Sequence, residues 1–158
     1  MPAGFTGPLA KRLAGICALN VLEVTGPTRL ETGCVYIGRG DADLVVSKRP
    51  SGLIAMTVPS NPDYPWHPST DRLVRSAMHY VPASQLVGVL MTGMGDDGAA
   101  ALASLRAQGG TTIAEAEETA VVWGMPGELV RMGGAAYVLP LPSIASRLQR
   151  LVPHAAHS

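Results

Sequence analysis

Residues 87–110, VGVLMTGMGDDGAAALASLRAQGG, decide the fold. Val87, Val89 and Leu90 make an apolar run of strand length, too short for a helix. Thr92, Gly93 and Gly95 interrupt it abruptly. From Gly98 onward the chain turns to good helix formers, Ala99, Ala100, Ala101, Leu102, Leu105 and Arg106, and Gly109-Gly110 supplies a C-terminal stop. The pattern reads as strand, glycine-rich turn, helix. In an open α/β sheet such a turn lies at the carboxyl end of its strand, where these folds carry their sites. Asp96 and Asp97 sit inside it.

Three roles compete for the two carboxylates. The spacing Gly93-x-Gly95-x-x-Gly98, with Glu117 about 20 residues further on, matches a dinucleotide-binding fingerprint. Carboxylates beside a pyrophosphate at a helix N-terminus would repel it, which weighs against a dinucleotide-binding fragment. One carboxylate could instead be anchored there to orient a catalytic group, or both could simply cap the helix. Residue chemistry alone leaves these last two open.

Working outward, a strand is expected at 111–114, with Glu115, Glu117 and Glu118 at its carboxyl end. A helix over 123–132, a glycine stop at 133–134, a strand at 135–139 and a helix at 144–151 follow. This β–α alternation calls for crossover connections and a parallel sheet. Upstream, Phe5, Leu9, Leu13 and Ile16 recur at helical spacing, opposite Lys11 and Arg12. Strands are expected at 21–24 and 35–37, then a Gly/Asp loop at 38–43 whose Arg39, Asp41 and Asp43 are read as solvated, with ligand binding the lesser alternative. A hairpin follows, with strands at 44–47 and 53–58 about Pro50-Ser51-Gly52. Tyr64 and Trp66 in the loop NPDYPWHP are expected to pack as a satellite of the core, and Ser69 to cap a helix over 71–80.

With 158 residues, 47% of them hydrophobic, the chain can bury one core, and one domain over 1–151 with a flexible tail over 152–158 is the simplest division. Net charge is zero and no basic run exists, so nucleic acid is not an expected partner. No apolar stretch reaches the ~18 residues of a membrane span, and no signal peptide opens the chain. A cytoplasmic protein is expected. Cys17 and Cys34 are too few for a disulfide framework or a zinc site and read as reduced core residues. Of the four histidines, His154 and His157 fall in the tail and His79 on the expected helix. No serine stands in a GxSxG elbow.

TGMGDDGAAAL at 92–102 closely resembles the TGMGxDGA signature of the CheB-type chemotaxis protein-glutamate methylesterases. TIAEAEETAVVWGMP at 112–126 resembles that family's TIAQDExxxVVFGMP, and HPSTDRLVRSA at 67–77 its RPSVDxLFRSA. MPAGFTGPLAKRL at 1–13 is similar to MPxxFTxxLAxRL, and YIGRGDADLVV at 36–46 to YIAPGDxHLxV. The resemblance implies an α/β fold, three-layered, with a mostly parallel doubly wound sheet and a β-hairpin flanking the site. It implies hydrolysis of glutamate γ-methyl esters, and deamidation of glutamines, on chemoreceptor tails, with no metal or organic cofactor.

Carried over by position, Asp97 is the aspartate of a Ser-His-Asp triad and the Met94 amide an oxyanion-hole donor. Thr92, Gly93, Gly95 and Gly98 shape the turn, and Asp96 is a solvated neighbour at a variable position. His67 lies in a part that approaches the family's substrate face. The family's serine and histidine precede the position of Met1. The expectation is therefore a chain truncated at its N-terminus, lacking the first strand or strands, with one triad residue of three and a tendency to associate. Its partners would be methylated receptor tails and a receiver domain or other upstream segment. A non-catalytic receptor-binding module is the alternative. Glu115, Ala116 and Gly127 depart from the family's usual Gln, Asp and Arg or Lys, the last read as a tolerated surface change.

Overall fold

The computed structural model describes residues 1–152. The expected tail, with His154 and His157, lies outside the described residues apart from Val152. The chain divides into two compact units, residues 1–80 and residues from 81 onward.

The first unit opens with helix α1 (Thr6–Ile16) and continues through β1 (Asn20–Val24), β2 (Thr28–Arg29), β3 (Cys34–Gly38), β4 (Ala42–Arg49), β5 (Gly52–Pro59) and α2 (Thr70–Tyr80). β1 runs parallel to β3, with Val21 opposite Val35. β4 and β5 form the expected hairpin, Val46 opposite Ala55, and β2 adds to the far edge of β5. Val24, Leu44 and Ala55 form its core, with Leu30, Tyr36 and Leu73 packed against them. Ser69 caps α2 as expected, its hydroxyl accepting the Arg72 N–H at 3.2 Å.

α1 buries a different face from the one its leucines suggest. Thr6 and Ala10 are buried, whereas Phe5 and Ile16 are 50% and 77% exposed. The small residues let the helix lie close to β1. There the Thr6 hydroxyl donates to the Glu23 carboxylate and accepts the Gly40 N–H. Neither cysteine is a core residue: Cys17 ends α1 in the open and Cys34 is half-buried at the start of β3. Trp66 is also exposed rather than packed.

The second unit follows the expected alternation: β6 (Val87–Leu90), α3 (Ala99–Ala107), β7 (Thr111–Glu115), α4 (Met125–Arg131), β8 (Tyr137–Leu139) and α5 (Leu141–Leu151). The three strands are parallel in the order β6-β7-β8, with Leu90 opposite Ala114 and Ala114 opposite Val138. α3 closes as its glycines suggest, Gly109 N–H to Arg106 O and Gly110 N–H to Leu105 O. Leu90, Leu102, Leu105, Ile113, Ala114 and Leu129 are buried. The α/β class with parallel strands is thus the one expected. No described helix is long and apolar enough to cross a membrane.

Candidate active site

β6 ends at Leu90, and the turn over 91–98 leads into α3. Its first half is gripped by the 119–125 segment. The Gly93 N–H donates to Val122 O at 2.9 Å, and Gly93 O accepts the N–H groups of Gly124 (3.1 Å) and Met125 (2.9 Å). The Thr92 hydroxyl accepts the Val122 N–H at 2.9 Å, and the Thr92 N–H donates to Glu115 Oε1 at 2.8 Å. The second half turns on Gly95 and Gly98, with φ of +87° and +85°. A side chain is disfavoured in that region of backbone space. Gly98, in that left-handed conformation, occupies the N-cap position of α3.

These anchors fix one peptide plane. In a trans peptide the C=O and the following N–H point in opposite directions. Gly93 O is held toward the start of α4, so the Met94 N–H is aimed away from it. That N–H donates to no group among the described residues, and Met94 is 70% exposed. Three residues on, Asp97 is buried to 9% exposure immediately before α3, where the helix N-terminus favours a carboxylate. Asp96 is exposed. The turn thus brings together an outward-facing backbone donor and a fixed carboxylate. A donor of this kind can stabilise developing negative charge by donating to it, and such a carboxylate can orient an imidazole.

Gly127 is not a surface position. It is buried in α4, and a Cβ there would stand 2.9–3.0 Å from the Trp123 indole. The indole is pinned over it by Nε1–H donating to Glu115 O at 2.7 Å. The family pattern has phenylalanine at 123, where this chain carries the larger ring over a glycine.

His67 and its surroundings lie in the first unit. Asp43, expected in a solvated loop, is fully buried at the start of β4. Its Oδ1 accepts from His67 Nδ1 at 3.0 Å and from the Ser69 N–H at 2.9 Å. Its Oδ2 accepts from Arg72 at 2.8 Å, and Arg72 also donates to Pro59 O. Burial pushes the Asp43 carboxyl up, but the hydrogen bonds from Arg72, His67 and the Ser69 N–H outweigh it and hold the group below the ordinary carboxylate value. Asp41 is exposed at φ +61° and accepts the Ala3 N–H; Arg39 is exposed. The signal for this cluster lay in two segments at once. Asp43 stands where the family pattern has histidine and His67 where it has arginine, and the fold brings those two positions into contact.

The sequence model of CheB methylesterase matches residues 1–148. A protein-glutamate methylesterase/protein-glutamine glutaminase of Rhodopseudomonas palustris is 65% identical over 146 residues, covering 92% of this chain and 40% of that protein. One of Rhodospirillum rubrum is 48% identical over 148 residues, covering 94% and 40%. The chain therefore spans about two fifths of the length of these curated relatives. The crystal structure of the Thermotoga maritima CheB methylesterase catalytic domain superposes with a TM-score of 0.90 at 36% identity, covering 96% of this chain and 80% of that one. With the glycine-shaped turn and its aspartate in place and the family's pattern running through nearly the whole sequence, this chain belongs to the CheB methylesterase family.

Proposed function

We propose that this chain supplies the aspartate and the oxyanion donor of a protein-glutamate methylesterase that also deamidates glutamines, acting on chemoreceptor tails in the cytoplasm. The observation supporting this is the pairing, in one eight-residue turn, of a Met94 N–H that meets no acceptor among the described residues with the buried carboxylate of Asp97. On this reading residues 1–151 belong to one catalytic domain. Its serine and histidine come from the segment that precedes this stretch in the family pattern. Receptor tails and a receiver domain are the partners.

In the reaction so read, the serine oxygen attacks the γ-ester carbonyl while the histidine Nε2 takes its proton. Asp97 accepts the histidine Nδ1–H and stabilises the imidazolium. The Met94 N–H donates to the carbonyl oxygen as it becomes an oxyanion, an interaction worth roughly 3 kcal/mol in comparable sites. The imidazolium then protonates the departing methoxide. Water, activated by the same base, releases the glutamate. Thr92, Gly93, Gly95 and Gly98 hold the turn.

The test is methanol release from a γ-methyl-esterified receptor fragment by the polypeptide read from the frame that includes the upstream segment. D97N is expected to lower kcat by ~10³–10⁴ through the wrong histidine tautomer, with little change in receptor binding. Hydrolysis unaffected by D97N overturns the assignment. Receptor binding with no methanol release by the unsubstituted protein favours the non-catalytic module.

A further inference from the structure

Glu115 ends β7 with 1% exposure, and every oxygen it carries is engaged. Oε1 accepts the Thr92 N–H at 2.8 Å, and Oε2 accepts the Thr119 hydroxyl at 2.9 Å. The Thr119 oxygen accepts in turn the N–H of Leu141, the first residue of α5, at 3.0 Å. The Glu115 backbone oxygen accepts the Trp123 indole N–H. One buried side chain thus ties the end of β7, the first residues of the turn and the start of α5. A carboxylate stripped of water is costly unless its lone pairs are filled, and here two donors face it.

We propose that Glu115 is a positioning residue, holding Thr92 so that the Met94 N–H two residues later keeps its direction. This rests on the reading of Met94 as the oxyanion donor. The other anchors of the turn, at Gly93 and at the Thr92 hydroxyl, are made to neutral groups of the 122–125 segment. Glu115 instead supplies a charge-assisted bond to Thr92, and such bonds are shorter and stronger than neutral ones. The family's usual glutamine has one oxygen for Thr92 but turns an amide N–H toward Thr119. Thr119 would then become an acceptor twice over, its own hydrogen left to Ala116 O at 3.4 Å. The carboxylate thus gives both threonines their best partner.

The test is amide exchange and ¹H–¹⁵N NMR on this chain with E115A and E115Q. E115A is expected to speed exchange at Thr92 about tenfold and to shift the Thr92, Gly93 and Met94 resonances, while Leu105 and Leu129 exchange at their former rates. E115Q is expected to restore Thr92 protection to within about threefold, with its amide proton shifted upfield because the acceptor has lost its charge. Equal acceleration at Leu105 and Leu129, or no change at Thr92, overturns the proposal. Should E115A fail to fold, the Thr92 shift in E115Q decides alone, and its absence is fatal. None of these readouts needs hydrolysis. An inactive enzyme therefore defeats the functional reading and leaves the clamp, while a Thr92 blind to Glu115 defeats the clamp and leaves the functional reading.

Discussion

Replacing Gly124 by alanine tests whether the close approach of two backbone segments sets the site. Gly124 sits at φ −82°, ψ −69°, backbone that alanine adopts without strain. The obstacle is space alone. The added Cβ would lie 2.7 Å from Gly93 O and 2.9 Å from both Gly95 N and Gly95 O, all main-chain atoms that no rotamer change can move. The segments must part by several tenths of an ångström, lengthening the bonds from Gly124 and Met125 to Gly93 O. Overpacking costs ~1–3 kcal/mol and each weakened hydrogen bond about 0.5–1.5 kcal/mol. A total of about 3 kcal/mol lowers Tm by roughly 6–12 °C in a chain of this size.

Gly26→Ala is the control, since nothing lies within 4 Å of a Cβ there. Its stability should stay within ±0.5 kcal/mol or so of the unsubstituted chain. Calorimetric or circular-dichroism melts of both variants read the stability difference. Because the Gly93–Met94 peptide is the plane that moves, the Met94 amide resonance should shift in G124A and not in G26A. A G124A variant that melts with G26A and leaves Met94 unshifted refutes the argument that this contact aims the donor.

The Asp43 cluster should dominate the acid limb of the first unit's stability. Its carboxyl titrates below its unfolded value of about 3.9, so its contribution is full above that pH and is lost as pH falls through the folded value. D43A should cost about 2–4 kcal/mol at pH 7, somewhat under a fully buried pair because Arg72 and His67 are each about a quarter exposed. Urea titrations from pH 7 down to 2 should show that difference shrinking below pH ~4. A constant gap across the range would sink the assignment. For Trp123 and Gly127, G127A alone should cost about 1–3 kcal/mol. W123F/G127A should recover much of that, because phenylalanine lacks the N–H that pins the ring over position 127. Additive penalties in the double-mutant cycle would show the two positions uncoupled.

What the sequence made legible follows from how local each determinant is. β6, the turn and α3 announce themselves within 24 residues, because glycine, alanine and a short β-branched run act on their own backbone. The place of Asp97 in that turn was legible for the same reason, whereas the roles read for it and for Met94 come from the family resemblance. Asp43 was not: what buries it are His67 and Arg72, 24 and 29 positions away. Nor was β2, two polar residues whose pairing comes wholly from Ile54 and Ala55 across the sheet. α1 misled because a stripe of leucines signals burial only if something packs there, and Thr6 and Ala10 proved to be what β1 accommodates.

Three of the departures from the family pattern share a property. Asp43 with His67, Glu115, and Trp123 with Gly127 all lie under or behind a turn or strand end, and none is the donor or carboxylate at the turn itself. Each belongs to a satisfied set: Asp43 accepts from His67 and Arg72, the Trp123 indole lies over a position with no side chain, and the Glu115 carboxylate serves Thr92 and Thr119. Single replacement at any of them is expected to break a satisfied set. These departures therefore act on the stiffness and acid response of the unit that carries each of them.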